Sequence, residues 1–284
     1  MSTPLQIESF RAWLAEDLGT GDHTTLATVG ADVQGSAVLL AKSEGVLAGV
    51  QAALDFFLFL DPELKQQVVL LDGEWIRSGD RVFRLSGSAR SLLIGERVAL
   101  NMMQRMSGIA TLTHRFVKEL EGTKTVLLDT RKTTPGFRWA EKAAVKIGGG
   151  MNHRFGLYDR MLIKDNHIDH GGGIASVIES TRQYLLDHPL NIPVEIEVRT
   201  MEELDAVMEY GKGCVHRVLL DNFSVDQVQE AVVRLNGMFE TEVSGGIHLG
   251  NIRGYAMAGV DFISVGALTH QAVSLDLSLK TVIE

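Results

Sequence analysis

Six short apolar runs, each closing on polar residues, constrain this chain's fold more than any other feature. They are Thr125–Asp129, Asp159–Lys164, Val194–Val198, Arg217–Asp221, Thr241–Ser244 and Asp261–Val265. Helical spacing fills most gaps between them, as in Ile174–Leu186, Met201–Tyr210 and Val225–Leu235. Alternating strand and helix without hairpin signals implies parallel strands joined by right-handed crossovers. Six runs with a weaker seventh favour a closed barrel over an open sheet.

Before about residue 110 the pattern differs. Ile7–Leu18 has one apolar helical face, Gly35–Lys42 reads as a strand, and Asp72-Gly73 and Ser78-Gly79-Asp80 mark turns between short strands. A long helix is expected from about Ser91 to Leu120, with a break near Gly108.

In an α/β barrel the active site forms at the C-terminal ends of the strands. Those ends carry Asp129-Thr130-Arg131-Lys132, Lys164-Asp165-Asn166-His167, Glu197, Asp221-Asn222, Ser244-Gly245-Gly246 and Gly266. The early strands supply cations, the middle ones carboxylates and the late ones glycine turns suited to a phosphate. Singly, each has an ordinary explanation. An Arg-Lys pair is usually a solvated face, a lone glutamate is more often an ion-paired carboxylate than a metal partner, and Gly148-Gly149-Gly150 is a flexible turn. Their joint placement around one barrel mouth marks an enzyme.

Charge sharpens this reading. The formal net charge is -9, which disfavours nucleic acid and anionic membranes, so a basic cluster stands out against the background. The most apolar window, Val46–Leu60, is too short to span a bilayer. Cys214 is the single cysteine, so no intrachain disulfide is expected, and the histidines show no zinc spacing. The first residues lack a basic stretch leading into an apolar one, and a cytoplasmic location is expected.

Several segments resemble quinolinate phosphoribosyltransferases. They include Glu16-Asp-Leu-Gly-x-Gly-Asp-x-Thr-Thr25, Glu96-Arg-Val-Ala-Leu-Asn101, Ser107-Gly-Ile-Ala-Thr111 and Leu128-Asp-Thr-Arg-Lys-Thr-Thr-Pro-Gly136. Gly148-Gly-Gly-Met-Asn-His-Arg-Phe-Gly-Leu-Tyr-Asp159, Leu162-Ile-Lys-Asp-Asn-His167, Leu220-Asp-Asn-Phe223, Glu242-Val-Ser-Gly-Gly-Ile247 and Ile263-Ser-Val-Gly-Ala-Leu-Thr-His270 follow in family order. The resemblance implies an N-terminal α/β sandwich domain over 1–110 and an α/β barrel of about seven parallel strands over 111–269. The segment at about 270–284 would pack with the first domain. It also implies a homodimer with shared active sites, alone or within a larger oligomer.

The implied reaction joins quinolinate to 5-phosphoribosyl 1-pyrophosphate, releasing nicotinate mononucleotide, pyrophosphate and carbon dioxide with Mg2+. Carried over by position, Arg131, His153, Arg154 and Lys164 would bind the quinolinate carboxylates with Thr130, and Arg97 would reach the same ligand from a second subunit. Lys132 would contact the phosphoribosyl donor. Glu197 and Asp221 would sit near the ribose and meet magnesium through water. Glu197 is preferred to Glu195 because it lies nearer the strand's C-terminal end. Ser244, Gly245, Gly246 and Gly266 would hold the 5-phosphate. The catalytic set is then Lys132, Lys164, Glu197 and Asp221.

Arginines suit a dianion because their planar fork matches carboxylate geometry. A monoanion such as nicotinate would leave cations without partners in a closed site, which is costly. Two rival readings remain: a related phosphoribosyltransferase acting on another pyridine carboxylate, and a non-catalytic anion-binding protein on the same fold.

Overall fold

The computed structural model describes residues 2–282. Its strands in chain order are β1 (Gln34–Ala41), β2 (Gly45–Val46), β3 (Lys65–Val68), β4 (Trp75–Ile76), β5 (Arg81–Ser88) and β6 (Val126–Leu128). They continue as β7 (Met161–Ile163), β8 (Val194–Val198), β9 (Arg217–Asp221), β10 (Glu240–Ser244), β11 (Phe262–Ser264) and β12 (Leu277–Val282). The chain divides into two compact units.

The first unit takes residues up to His114, Thr133–Gly149 and the segment from Leu268 onward. The stretch 133–149, which the sequence reading puts inside the barrel domain, groups here. So does the described part of the expected 270–284 segment, whose last two residues lie outside the described residues. An antiparallel sheet runs in the order β12-β1-β5-β3. Its helices include Pro4–Leu18, which starts earlier than Ile7 because Thr3 and Gln6 form a capping box and Pro4 sits in the first turn. Phe10, fully buried, meets Trp13, Phe56, Phe59 and Trp139.

The long helix runs unbroken over Ala89–Glu119, so the expected break at Gly108 is absent. Gly108 serves another purpose: a Cβ there would overlap the carbonyl oxygen of Val273, so the glycine lets that segment lie on the helix. Next to it and one turn further on, the Ser107 and Thr111 hydroxyls accept the backbone N–H groups of Ala48 (2.9 Å) and Val46 (2.9 Å). The Ser-Gly-Ile-Ala-Thr segment is thus a packing device, with two hydroxyls satisfying backbone donors beside β2 that would otherwise be buried unpaired.

The second unit takes Arg115–Lys132 and Gly150–Ala267. Its six strands pair in parallel in the order β6-β11-β10-β9-β8-β7, so the first strand lies beside the last, as barrel closure requires. Met151 adds a single parallel bridge to Leu128, a rudimentary seventh strand position. The second unit is an α/β barrel of the expected kind, and the first is an α/β domain built on the antiparallel sheet. All five residues of β8 are buried, Glu195 and Glu197 included. Strand alternation puts those two carboxylates on one face and Val194, Ile196 and Val198 on the other. Among the described residues no helix is long and apolar enough to cross a membrane.

Candidate active site

The end of β6 organises the basic cluster. Asp129, fully buried, donates its backbone N–H to the Met151 carbonyl (3.1 Å), and its carboxylate accepts the backbone N–H of His153 (2.7 Å). These two bonds hold the Met151–Arg154 loop against the strand end from which Thr130, Arg131 and Lys132 continue. Thr130 shapes that continuation by accepting the Lys132 backbone N–H (3.0 Å). Arg131 is half-buried, Lys132 exposed, and Arg154 only 9% exposed.

Burial, and then the charge of Arg131, depress the Arg154 guanidinium pKa below its ordinary value, against the opposing pull of Glu195 and Asp159. Arg154 also donates to the Arg160 carbonyl (3.1 Å), which fixes its orientation. Two arginines set within electrostatic reach, one of them buried, make a site that gains by taking an anion.

Lys164 begins the helix Asp165–His170 and pairs its ammonium with Glu197 (2.7 Å). His167 is an internal cap, its Nδ1 accepting the Lys164 backbone N–H (2.9 Å). At the ends of β9 and β10, Asp221 accepts from the Ser244 hydroxyl (2.9 Å) and the Asn222 amide (2.7 Å). Asn222 is left-handed at φ 58, and its backbone N–H donates to the Ser244 carbonyl (2.9 Å). A Cβ on Gly245 would overlap the Asn222 side chain, so the glycine is needed for this close approach. The helix after Gly246 begins only at Ile252, whereas Ala267–His270 follows Gly266 directly. A turn therefore separates Gly246 from its helix.

Glu197 and Asp221 are hard oxygen donors of the kind hydrated Mg2+ prefers. Each also accepts a hydrogen bond from the protein, which orients it while leaving lone pairs for a metal-bound water. The donor chemistry therefore fits magnesium held through water.

A deeper charged layer escaped the sequence reading. His153 Nε2 lies 3.1 Å from Glu195 and 3.6 Å from Glu242. Glu195 also meets Arg160 (3.3 Å), and Arg217 meets Glu242 (2.8 Å) and Glu240 (2.9 Å) while stacking over Phe262. Burial pushes the Glu195 carboxyl up, but the hydrogen bond and charge of His153, with Arg217 and Arg160, leave it below its ordinary value. Burial and the charge of Glu195 push Glu242 the other way. His153, Glu195 and Glu242 lie close enough together to hold a cation, but Arg160 and Arg217 already neutralise the carboxylates. The available signal was charge inside apolar runs: Glu195 two residues before Glu197, and Glu242 two before Ser244.

In the first unit, Arg97 is exposed and lines a cleft of about 310 Å³ with Trp13, Glu16, Asp17, Asn101 and Arg105. It is the one expected site residue in that cleft; the others belong to the second unit.

Comparison with known proteins follows the two units. A family model described as quinolinate phosphoribosyl transferase, N-terminal domain, matches residues 22–107, and its C-terminal counterpart matches residues 109–280. The chain is 44% identical over 280 residues to the chloroplastic nicotinate-nucleotide pyrophosphorylase [carboxylating] of Arabidopsis thaliana, covering 94% of this chain and 80% of the relative. It is 40% identical to the solved nicotinate-nucleotide pyrophosphorylase from Francisella tularensis, with a TM-score of 0.89 over 99% of this chain and 98% of that one. NadC from Streptococcus pyogenes is similar at 38% identity and a TM-score of 0.89, covering 100% and 99% of the two chains.

Proposed function

The chain belongs to the quinolinate phosphoribosyltransferase family, and from that premise we propose how its residues carry out the reaction. The enzyme transfers phosphoribosyl from 5-phosphoribosyl 1-pyrophosphate to quinolinate with loss of carbon dioxide, giving nicotinate mononucleotide and pyrophosphate for NAD biosynthesis. The observation that carries the assignment of the substrate pocket is the convergence of Arg131 and buried Arg154 through the Asp129–His153 bond. Two carboxylates on adjacent ring carbons answer the charge of that pair.

Arg131 and Arg154 bind the quinolinate carboxylates, with Thr130, His153 and Lys164 beside them. Lys164 is already charge-balanced by Glu197, so binding a carboxylate there shares its ammonium between ligand and protein. Lys132, exposed at the loop tip, meets the phosphoribosyl donor. Glu197 and Asp221 face the positive charge that grows on the ribose as pyrophosphate departs, and their fixed orientation lowers the reorganisation needed. Ser244, Gly245, Gly246 and Gly266 take the 5-phosphate. Magnesium, held through water by Glu197 and Asp221, would neutralise the pyrophosphate leaving group. Once the ring nitrogen is quaternary, it can accept the electron pair left by decarboxylation, so the protein's task is to hold the ring and exclude water.

The proposal includes a homodimer in which Arg97 serves the partner's pocket, and a cytoplasmic location, which the single buried thiol of Cys214 suits. The test is direct. Purified protein, magnesium and the phosphoribosyl donor are incubated with quinolinate or with nicotinate, and nucleotide and carbon dioxide are measured. Both products are expected with quinolinate and little nucleotide with nicotinate. Neither product with quinolinate would overturn the assignment.

A further inference from the structure

The charged layer beneath the basic cluster does more than fill the barrel. The His153 imidazole is engaged at both nitrogens. Its Nδ1 accepts the backbone N–H of Arg154 (2.8 Å), and its Nε2 faces the Glu195 carboxylate (3.1 Å). A nitrogen that accepts a backbone N–H carries no proton, so the proton resides on Nε2 and is donated to Glu195. The ring is thus fixed in one tautomer and one orientation, with its side chain 7% exposed. The residue it holds through Nδ1 is Arg154, one of the two arginines assigned above to the substrate.

We propose that Glu195 is a positioning residue for the substrate pocket: by accepting the Nε2–H of His153 it fixes that ring, and the ring fixes the backbone of Arg154. This rests on the reading that Arg154 binds quinolinate.

Three further observations support it. Glu195 is fully buried on β8 and its carboxylate is taken up by His153 and Arg160, so it is unsuited to touching the substrate itself. Its second neighbour is Arg160 (3.3 Å), whose backbone carbonyl accepts from the Arg154 guanidinium (3.1 Å). One carboxylate therefore braces Arg154 from two sides, through His153 at its backbone and through Arg160 at its side chain. Glu242 approaches the same nitrogen but stops at 3.6 Å, held by Arg217 (2.8 Å), so Glu195 at 3.1 Å is the carboxylate within hydrogen-bond reach of Nε2.

A residue acting this way leaves the donor site alone. Glu195→Ala should raise the quinolinate KM about tenfold or more, the scale of one weakened charge-assisted contact, with the KM for the phosphoribosyl donor nearly unchanged. Glu195→Gln keeps the volume and an acceptor oxygen, so it should recover much of the loss. Nitrogen-15 spectra of the histidine rings should show His153 as a single Nε2–H tautomer in the wild type and in Glu195→Gln, and as a mixture in Glu195→Ala. Should the alanine variant fail to fold, Glu195→Leu, which fills the space without an acceptor, takes its place.

Folded variants that lack the acceptor yet keep the wild-type quinolinate KM would overturn the proposal. So would an unchanged His153 tautomer, or equal rises in both KM values. The spectra and the quinolinate titration of the resting enzyme need no turnover. If the wild type binds quinolinate but makes no nucleotide, the reaction assignment fails while the bracing of Arg154 is still judged by binding and tautomer.

Discussion

At the scale of single residues, the basic cluster is ordered by main-chain bonds as much as by charge. Arg154→Lys should raise the quinolinate KM roughly thirtyfold, about 2 kcal/mol, because an ammonium replaces a planar fork and no longer reaches the Arg160 carbonyl in the same geometry. Its thermal midpoint should move little, and steady-state kinetics with differential scanning fluorimetry separate the two effects. Arg131→Ala and Lys164→Ala should each abolish quinolinate turnover while circular dichroism stays that of the wild type. Arg131, Lys132 and Lys164 were legible in the sequence because they stand at strand ends in an acidic chain, whereas His153 and Arg154, on a loop, and Arg97 came with the family resemblance. Glu195, Glu242, Arg160 and Arg217 were not legible, because a charge inside an apolar run looks the same whether it faces a barrel interior or breaks a strand. Only their contacts in the folded chain bring them together, Arg160 on Glu195, Arg217 on Glu242, and His153 between the two carboxylates.

At the scale of elements, all six barrel strands fall within the runs the sequence marked, give or take a residue at each end. Helix Arg138–Ile147 was not singled out in the sequence although its apolar and polar faces are well separated; what the pattern could not show is that Glu141 and Lys142 are buried in it. Glu141 is held there by Arg105 and by the Thr134 backbone N–H and hydroxyl. Gly108→Ala should cost about 2 kcal/mol of stability, because the helix gains propensity but the added methyl meets the Val273 carbonyl; thermal denaturation would show it. Asp261 offers a test of pH. Burial raises its carboxyl, but Lys124 (2.7 Å) and the Thr241 backbone and hydroxyl hold it below the ordinary aspartate range. A carboxyl lowered in the folded state stabilises above the unfolded pKa, and that contribution is lost as pH falls through the folded value. Asp261→Asn should therefore be less stable than wild type at neutral pH, and the difference should shrink under acid, as measured by urea midpoints across pH.

At the scale of the whole molecule, mixing inactive Arg97→Ala and Arg131→Ala protomers should restore activity in verified heterodimers, since one of the mixed sites regains both arginines. No recovery would argue that each chain completes its own pocket. The architecture carries one more consequence, for synthesis. β1 lies between β5 and β12, strands on opposite ends of the chain. A ribosome delivers β1 and β5 early and β12 last, with the entire barrel made in between. Until then one edge of β1 presents open backbone donors and acceptors, a template on which nascent chains can pair with one another. The first unit emerges first and is finished last, so its exposure in the cell lasts as long as translation of everything between.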